Sequence, residues 1–289
     1  MLPKNIEIYK PRNTADWLKK KEGTLGGSEM AAICGLNPWM TPRDVWQIKT
    51  GRKSFGEPTM VMKRGKFFES GLICMWADET GNRIIKSSLP DILYIDKEYP
   101  FLSVTPDCRY FSTDGGKRTL EAKTTFGRYD DPLDSWKIQH TWEMGFTGDT
   151  HGEIVWEYPQ PTICFKSQTN TFDKELFLQL KEIAIEFWNV NVLQDIEPAL
   201  ITHSDIEDKF PRETVGKTVD CSDSLALRHD EIVTLQSKIN ETTEDLDSKK
   251  LEVKFFMEDA EKAMYNDQVL FTWKRNKNNQ RIFKTIKQH

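Results

Sequence analysis

The five cysteines of the chain, Cys34, Cys74, Cys108, Cys164 and Cys221, are odd in number and scattered, with no C-x-x-C pair. That spacing argues against a disulfide scaffold and a ribbon-type zinc site, and it provides no cluster for an iron–sulfur centre. No apolar run approaches the roughly 18–20 residues of a membrane span, and the N-terminal MLPKNIEIYK lacks the apolar stretch of a secretory signal. With a mean hydropathy of −0.60, these features predict a cytoplasmic protein with reduced thiols and no membrane partner. Histidine is scarce, and no H-E-x-x-H or second histidine at ligand spacing accompanies His140 or His151, so both are read as structural. Positive charge is not in excess either: 40 Lys and Arg stand against 45 Asp and Glu, a net charge of −5. An average of that sign would argue against a nucleic-acid partner, unless an acidic metal site and a basic groove share one chain; the charge has to be read locally.

Aromatics are plentiful. Nine Trp, 16 Phe and 7 Tyr in 289 residues are sufficient for a sizeable core. Residues 1–60 are loop-rich, with Lys19–Lys21 leading into the turn Gly23–Gly27. Ser28 is placed to cap a helix over Glu29–Ile33, and Thr41-Pro42 to open a second one that closes at Gly51. Trp17, Trp39 and Trp46 are read as core rather than as a base-stacking platform. Residues 61–200 carry helical periodicity over Met62–Thr80, Trp136–Phe146 and Lys174 to about Leu193. Strand-like runs occupy Ile92–Ile95, Phe101–Thr105, Thr119–Lys123, Glu153–Tyr158 and Thr162–Lys166, with Asp114-Gly115-Gly116 predicted to join the second and third as a hairpin. The fold class is therefore α/β over residues 1–200, with a mainly helical extension over 201–289. In that extension Leu225, Ile232, Ile239, Leu246, Val253 and Ala260 recur every seven residues. Mixed residues at the intervening positions predict a helix packed on one partner, such as an antiparallel hairpin, rather than a free coiled coil. The tail beyond Tyr265 has six basic side chains and only Asp267 acidic, and reads as a basic β-hairpin around Asn276–Asn279.

The residues that can carry chemistry are Thr105-Pro106-Asp107 and, across a turn, Leu120-Glu121-Ala122-Lys123. Glu121 and Lys123 are two apart and share a strand face. Two carboxylates and an ammonium are costly to bury together unless a divalent cation joins them. Asp107, Glu121 and the Ala122 carbonyl are hard oxygen ligands suited to Mg²⁺, with Mn²⁺ as a substitute. Lys123 is placed to orient or deprotonate a water. This is the D…E-x-K arrangement of restriction-endonuclease-like nucleases, a short pattern that exposed charged hairpins also match.

Four blocks in order narrow it: Lys21–Ser28 with Ala31-Ala32-Ile33 and Leu36-Asn37-Pro38; Arg64-Gly65-Lys66-Phe67-Phe68-Glu69 running to Thr80-Gly81; Thr105-Pro106-Asp107 with Leu120–Thr125; and Ile138-Gln139-His140 through Thr147-Gly148. Over roughly residues 15–200 the chain resembles the YqaJ-type viral recombinases and the bacteriophage lambda-type exonucleases. The resemblance implies a restriction-endonuclease-like core, a mixed central sheet flanked by helices. It implies that Asp107 and Glu121 bind Mg²⁺, that Lys123 handles the nucleophilic water, and that Glu69 and Gln139 stand beside the same centre. Ser28 and Lys21 then match positions at the 5′ phosphate of the substrate strand, Lys21 replacing an arginine and so losing its bidentate fork. Cys108, where a glycine is usual, and Glu143, where an aromatic is common four residues past the glutamine, are further departures. The activity implied is 5′-to-3′ digestion of one strand of linear double-stranded DNA to leave 3′ overhangs for recombination. The resemblance also implies a homo-oligomer, a ring trimer, and a single-strand annealing recombinase as partner. A structure-specific DNA endonuclease, or a non-catalytic DNA-binding scaffold for recombination, are the alternatives.

Overall fold

A computed structural model describes residues 2–54, 59–85, 92–158 and 164–286. It divides into two compact units, 1–212 and 213–289. In the first, β1 (Ile6–Tyr9), α1 (Thr14–Glu22), α2 (Gly27–Ile33) and α3 (Pro42–Lys49) precede the long α4 (Met60–Thr80). Then come β2 (Arg83–Ile85), β3 (Leu93–Asp96), β4 (Ser103–Val104), β5 (Cys108–Phe111) and β6 (Lys117–Thr124). They are followed by α5 (Asp134–Thr147), β7 (His151–Tyr158), β8 (Cys164–Thr171), α6 (Lys174–Phe187) with a π-helical turn over Trp188–Leu193, and α7 (His203–Lys209).

The main sheet has five strands in the order β2-β5-β6-β7-β8, mixed because β6 and β7 run parallel while the other neighbours are antiparallel. The crossover between the parallel pair is α5, as a parallel connection requires. Helices lie on both faces of the central strand β6. Leu120 and Ala122 pack with Leu72, Ile73 and Trp76 of α4, whereas Thr119, of opposite parity, bonds His140 of α5. This is the mixed α/β class expected, and it explains why alternate residues of β6 are buried on either side. A smaller antiparallel sheet, β1-β3-β4, lies against a core of α2, α5 and α6 residues that includes Met30, Trp142 and Leu180.

Three local expectations differ. The hairpin through Asp114–Gly116 joins β5 to β6, not Phe101–Thr105 to β6. The 101–105 run contributes only β4, which pairs with β3 in the other sheet. Thr105-Pro106 separates the two because proline removes a ladder donor and restricts the residue before it. The α2 cap is Gly26, whose N–H donates to Glu29 Oε2 at 2.7 Å; Ser28 lies inside the helix, exposed. Residues 201–212 belong to the first unit: Asp205 of α7 accepts from Thr41 Oγ1 at 2.7 Å, and Asp208 pairs with Arg43. The predicted strand Thr162–Lys166 begins outside the described residues and is met from Cys164 onward.

The second unit holds α8 (Asp223–Met257), β9 (Lys262–Tyr265), β10 (Gln268–Arg275) and β11 (Arg281–Thr285). The heptad stripe from Leu225 to Val253 lies on one continuous 35-residue helix, Ala260 falls beyond its end, and no second helix pairs with it within the described residues of 213–289. The tail is a three-stranded antiparallel sheet rather than a hairpin; the added strand β9 turns at Asn266-Asp267, both with positive φ, a conformation Asn and Asp tolerate. Arg281 donates to the Glu258 and Ala260 carbonyls and lies 3.6 Å over the Trp273 ring. It is a structural cation, leaving Lys274, Arg275, Lys277 and Lys284 exposed, Lys274 paired with Glu261 at 3.4 Å; Lys287 is outside the described residues. No described helix is long and apolar enough to cross a membrane.

Candidate active site

The β5–β6 ladder ends at Cys108↔Leu120, one residue before Glu121. Asp107 stands where the next pairing would be, and its Oδ2 accepts from the Ala122 N–H at 3.0 Å. Pro106 therefore has a chemical consequence: ending the ladder there brings a carboxylate side chain, instead of a neighbouring strand, to the Glu121-Ala122-Lys123 backbone.

Glu121 is completely buried. Its Oε1 is in ion-pair contact with Lys123 Nζ, and the Glu143 carboxyl lies close enough to hydrogen-bond it when one of the two is protonated. Burial, with the Asp107 charge adding and Lys123 opposing, pushes its carboxyl up to about 7. Burial alone would push the Lys123 ammonium down, but Glu121 and Asp107 outweigh it and hold the pKa above the ordinary lysine value. Lys123 Nζ also donates to Gln139 Oε1 at 3.0 Å, which fixes its direction from α5.

Glu143 is the residue that sequence reasoning passed over as a mere departure. It is 1% exposed, four residues after Gln139 on the same helix face, and Gln139 Nε2 lies 3.4 Å from its Oε1. Burial first, then the Glu121 and Asp107 charges, raise its carboxyl well above the usual range. The i, i+4 spacing was a visible signal that Glu143 would accompany Gln139 to the site.

The remaining predicted residues lie around this centre. Ser28 is exposed and lines one cavity with Lys123 and Gln139. α2 reaches that position because Gly27 lacks a side chain: a Cβ there would be 2.8 Å from Gln139 Cγ, closer than packing permits. Glu69 on α4 pairs with Lys66 at 3.3 Å, and its charge, with that of Asp107, reaches the Cys108 thiol, which burial chiefly pushes up to about 12. Lys21 is not a solvated surface charge. It lies 4.8 Å over the Trp17 ring; desolvation is the main influence lowering its pKa, with Glu29, Lys49 and Asp107 close enough to act on it. Beneath it sits a pair the sequence did not announce, buried Lys49 and Glu29 at 2.6 Å. His140 is structural as expected: buried, near-contact with Thr119 and Asn170, and pushed down to about 4, mainly by burial.

Among the described residues no three His, Cys, Asp or Glu side chains form a ready metal cage. The donors that do fit a divalent cation are the buried Glu121 carboxylate and Asp107, hard anionic groups of the kind Mg²⁺ and Mn²⁺ accept. The Trp expectation fails in part. Trp46 is core, but Trp39 is 91% exposed.

These elements place Asp107 and Glu121-Ala122-Lys123 on adjoining strands and Gln139 on the crossover helix. Residues 16–138 match the YqaJ-like viral recombinase domain. The chain is also similar to a protein of Bacillus subtilis (strain 168), the uncharacterized protein YqaJ, at 26% identity over 278 residues, 90% of this chain and 82% of that one. Among solved structures, an alkaline exonuclease from Laribacter hongkongensis is 16% identical, covering 61% of this chain and 92% of that one, at a TM-score of 0.49. A phage-related exonuclease from Haemophilus somnus 129PT is 13% identical, covering 65% of this chain and 92% of that one, at 0.39. The YqaJ-like match contains Lys21, Ser28, Glu69, Asp107, Glu121 and Lys123, and stops at Ile138, one residue short of Gln139.

Proposed function

We propose that the chain is a Mg²⁺-dependent deoxyribonuclease, an exonuclease that degrades one strand of linear double-stranded DNA from its 5′ end and leaves a 3′ overhang for recombination. The observation that carries this is the fully buried Glu121, crowded by the Asp107 and Glu143 carboxyls and in contact with Lys123. A chain does not retain such a cluster for stability, since gathering buried carboxyls around a single ammonium is costly unless a cation joins them. The match to a viral recombinase domain supports DNA as the substrate class, and Mn²⁺ is the natural substitute cation.

Asp107, Glu121 and the Ala122 carbonyl would hold the cation. When bound, it supplies Lewis acidity at the scissile phosphate and lowers the pKa of an attacking water. The protein's own part is positional. Lys123, held against Glu121 and Gln139, orients the attacking water or takes its proton. Gln139 holds the ammonium in place, and Glu143 holds Gln139. By the family resemblance, Glu69 of α4 would add a carboxylate beside the same centre. Lys21 and Ser28 bind the 5′ phosphate, Lys21 as a point charge without the selectivity of a guanidinium fork. A homotrimeric ring and a single-strand annealing partner remain part of this proposal through the family resemblance.

The test compares 5′-labelled, 3′-labelled and covalently closed duplexes with Mg²⁺. The proposal expects release of mononucleotides from the 5′ label, survival of the 3′-labelled strand and an intact closed circle. Cleavage of the closed circle would replace it with the endonuclease reading, and no hydrolysis with any divalent cation would leave a DNA-binding scaffold.

A further inference from the structure

Beside Lys123 and Gln139 lies a cavity of about 430 Å³, within the roughly 300–1,000 Å³ of small-molecule sites. Its walls are unlike the charged site it adjoins. Trp39, Phe126 and Trp136 contribute aromatic surface, while Ser28, Lys123 and Gln139 form the polar end. Trp39 is 91% exposed and Phe126 62%. Neither exposure is explained by the fold, because exposed large aromatics gathered at one opening signal a binding surface.

The backbone N–H of Trp39 donates to Asn37 Oδ1 at 2.8 Å, fixing the loop after α2 that carries the ring. Phe126 lies 4.8 Å under the guanidinium of Arg64, which also covers Phe68 and pairs with Glu157 at 2.8 Å. Trp136, at the inner wall, is packed against Tyr129 and Trp156. The cavity therefore offers aromatic surface beside Lys123, with Phe126 and Trp136 held by their neighbours and Trp39 standing open to solvent at the mouth.

We infer that this cavity is a nucleobase subsite, in which the base of the nucleotide next to the scissile phosphate leaves the duplex stack and stacks on Trp39, with Phe126 closing the other side. The inference rests on the nuclease reading and adds to it a second recognition element that is blind to sequence. Aromatic stacking accepts any base, because every base has a π-face. It also gives a physical reason for action at strand ends, where the terminal base is the least costly to unpair.

The experiment measures binding of the full-length protein in EDTA, where cutting is suppressed, to two duplexes. One has a natural 5′-terminal nucleotide; the other has a tetrahydrofuran abasic residue at that position. Stacking predicts that the native protein prefers the natural end by roughly tenfold. Trp39→Ala reduces the preference to within about twofold, and Trp39→Phe restores most of it. With 2-aminopurine as the terminal base, its fluorescence is quenched on binding by the native protein and recovers in Trp39→Ala. An unchanged melting temperature in both variants is expected because Trp39 is outside the core. Equal affinity of the native protein for both duplexes, or a Trp39→Ala loss of the same size on both, would overturn the subsite. Hydrolysis of natural duplex by the native protein with Mg²⁺, run in parallel, separates the two ideas: cutting without base preference refutes the subsite alone, and binding without cutting refutes the nuclease reading alone.

Discussion

Replacing Glu121 with Gln should make the metal-free protein more stable at neutral and alkaline pH. The carboxyl is held up to about 7 from its ordinary 4.5, by burial first and the Asp107 charge second. A carboxylic acid with a raised pKa binds its proton more tightly in the folded than in the unfolded chain. Its ionisation therefore costs nothing below about pH 4.5, and stability is lost as pH rises from there through 7, with the full cost, about 3 kcal/mol, present at pH 8. Gln keeps the shape and removes the charge. In EDTA at pH 8, Glu121→Gln should melt roughly 5–10 °C above the native protein, the scale expected for a unit of about 200 residues. The difference should vanish below pH 5. His140 has the opposite dependence: pushed down to about 4, it stabilises fully above about 6.5 and loses that contribution as pH falls toward 4. It is present in both proteins and cancels in the comparison. Thermal melts followed by circular dichroism from pH 4.5 to 8.5 are sufficient. Saturating Mn²⁺ should then stabilise the native protein and have little effect on the variant, since only a folded state with the ligand gains from mass action. A variant that melts at or below the native protein at pH 8, or by a margin independent of pH, would refute the electrostatic reasoning.

Gly27→Ala places a Cβ about 2.8 Å from Gln139 Cγ; it should displace Gln139 from Lys123 and lower turnover at least tenfold while the far-ultraviolet spectrum is unchanged, and full activity would mean that the α2–α5 contact does not position Lys123. Lys21→Ala should narrow the rate advantage of 5′-phosphorylated over 5′-hydroxyl duplex, measured side by side; equal rates on both ends in the native protein would remove the phosphate role. On the C-terminal sheet, where β9 makes truncation after Met264 a cut through a strand, Arg275→Gln with Lys277→Gln is the cleaner perturbation: if the sheet touches duplex backbone, the slope of log affinity against log salt should flatten by about one per lost phosphate contact, and an unchanged slope would place these charges away from DNA.

The α/β class, the principal helices and the grouping of Asp107, Glu121 and Lys123 were legible from local rules: helical period, alternation along a strand and residue types suited to a cation. Gln139 was placed beside them only by the family resemblance. Less legible were features decided by neighbours distant in sequence. Ser28 has the chemistry of an N-cap, but the Glu29 carboxylate reaches back to Gly26 and moves the helix start. Trp39 has the composition of core; nothing within the sequence shows that the loop after α2 turns it outward. The run Phe101–Thr105 has strand propensity, but Pro106 assigns it to a different sheet from β5. Glu143 was visible as an i, i+4 companion of Gln139, and was read as a departure because an aromatic was expected there. The continuous α8 was half legible: absence of Gly and Pro after Gly216 permits one helix, and a heptad stripe alone does not distinguish one helix from two.

The central claim is that Asp107 and Glu121 hold a cation that makes the chain a nuclease. It is tested most directly by hydrolysis of a 5′-phosphorylated linear duplex by the native protein and Asp107→Asn, each in EDTA and in saturating Mg²⁺, with calorimetric titration of Mn²⁺ into the same two samples. Mg²⁺-dependent hydrolysis and stoichiometric Mn²⁺ binding by the native protein, both lost in a folded Asp107→Asn, are predicted. Hydrolysis in EDTA, or near-native hydrolysis and Mn²⁺ binding by the variant, would contradict it.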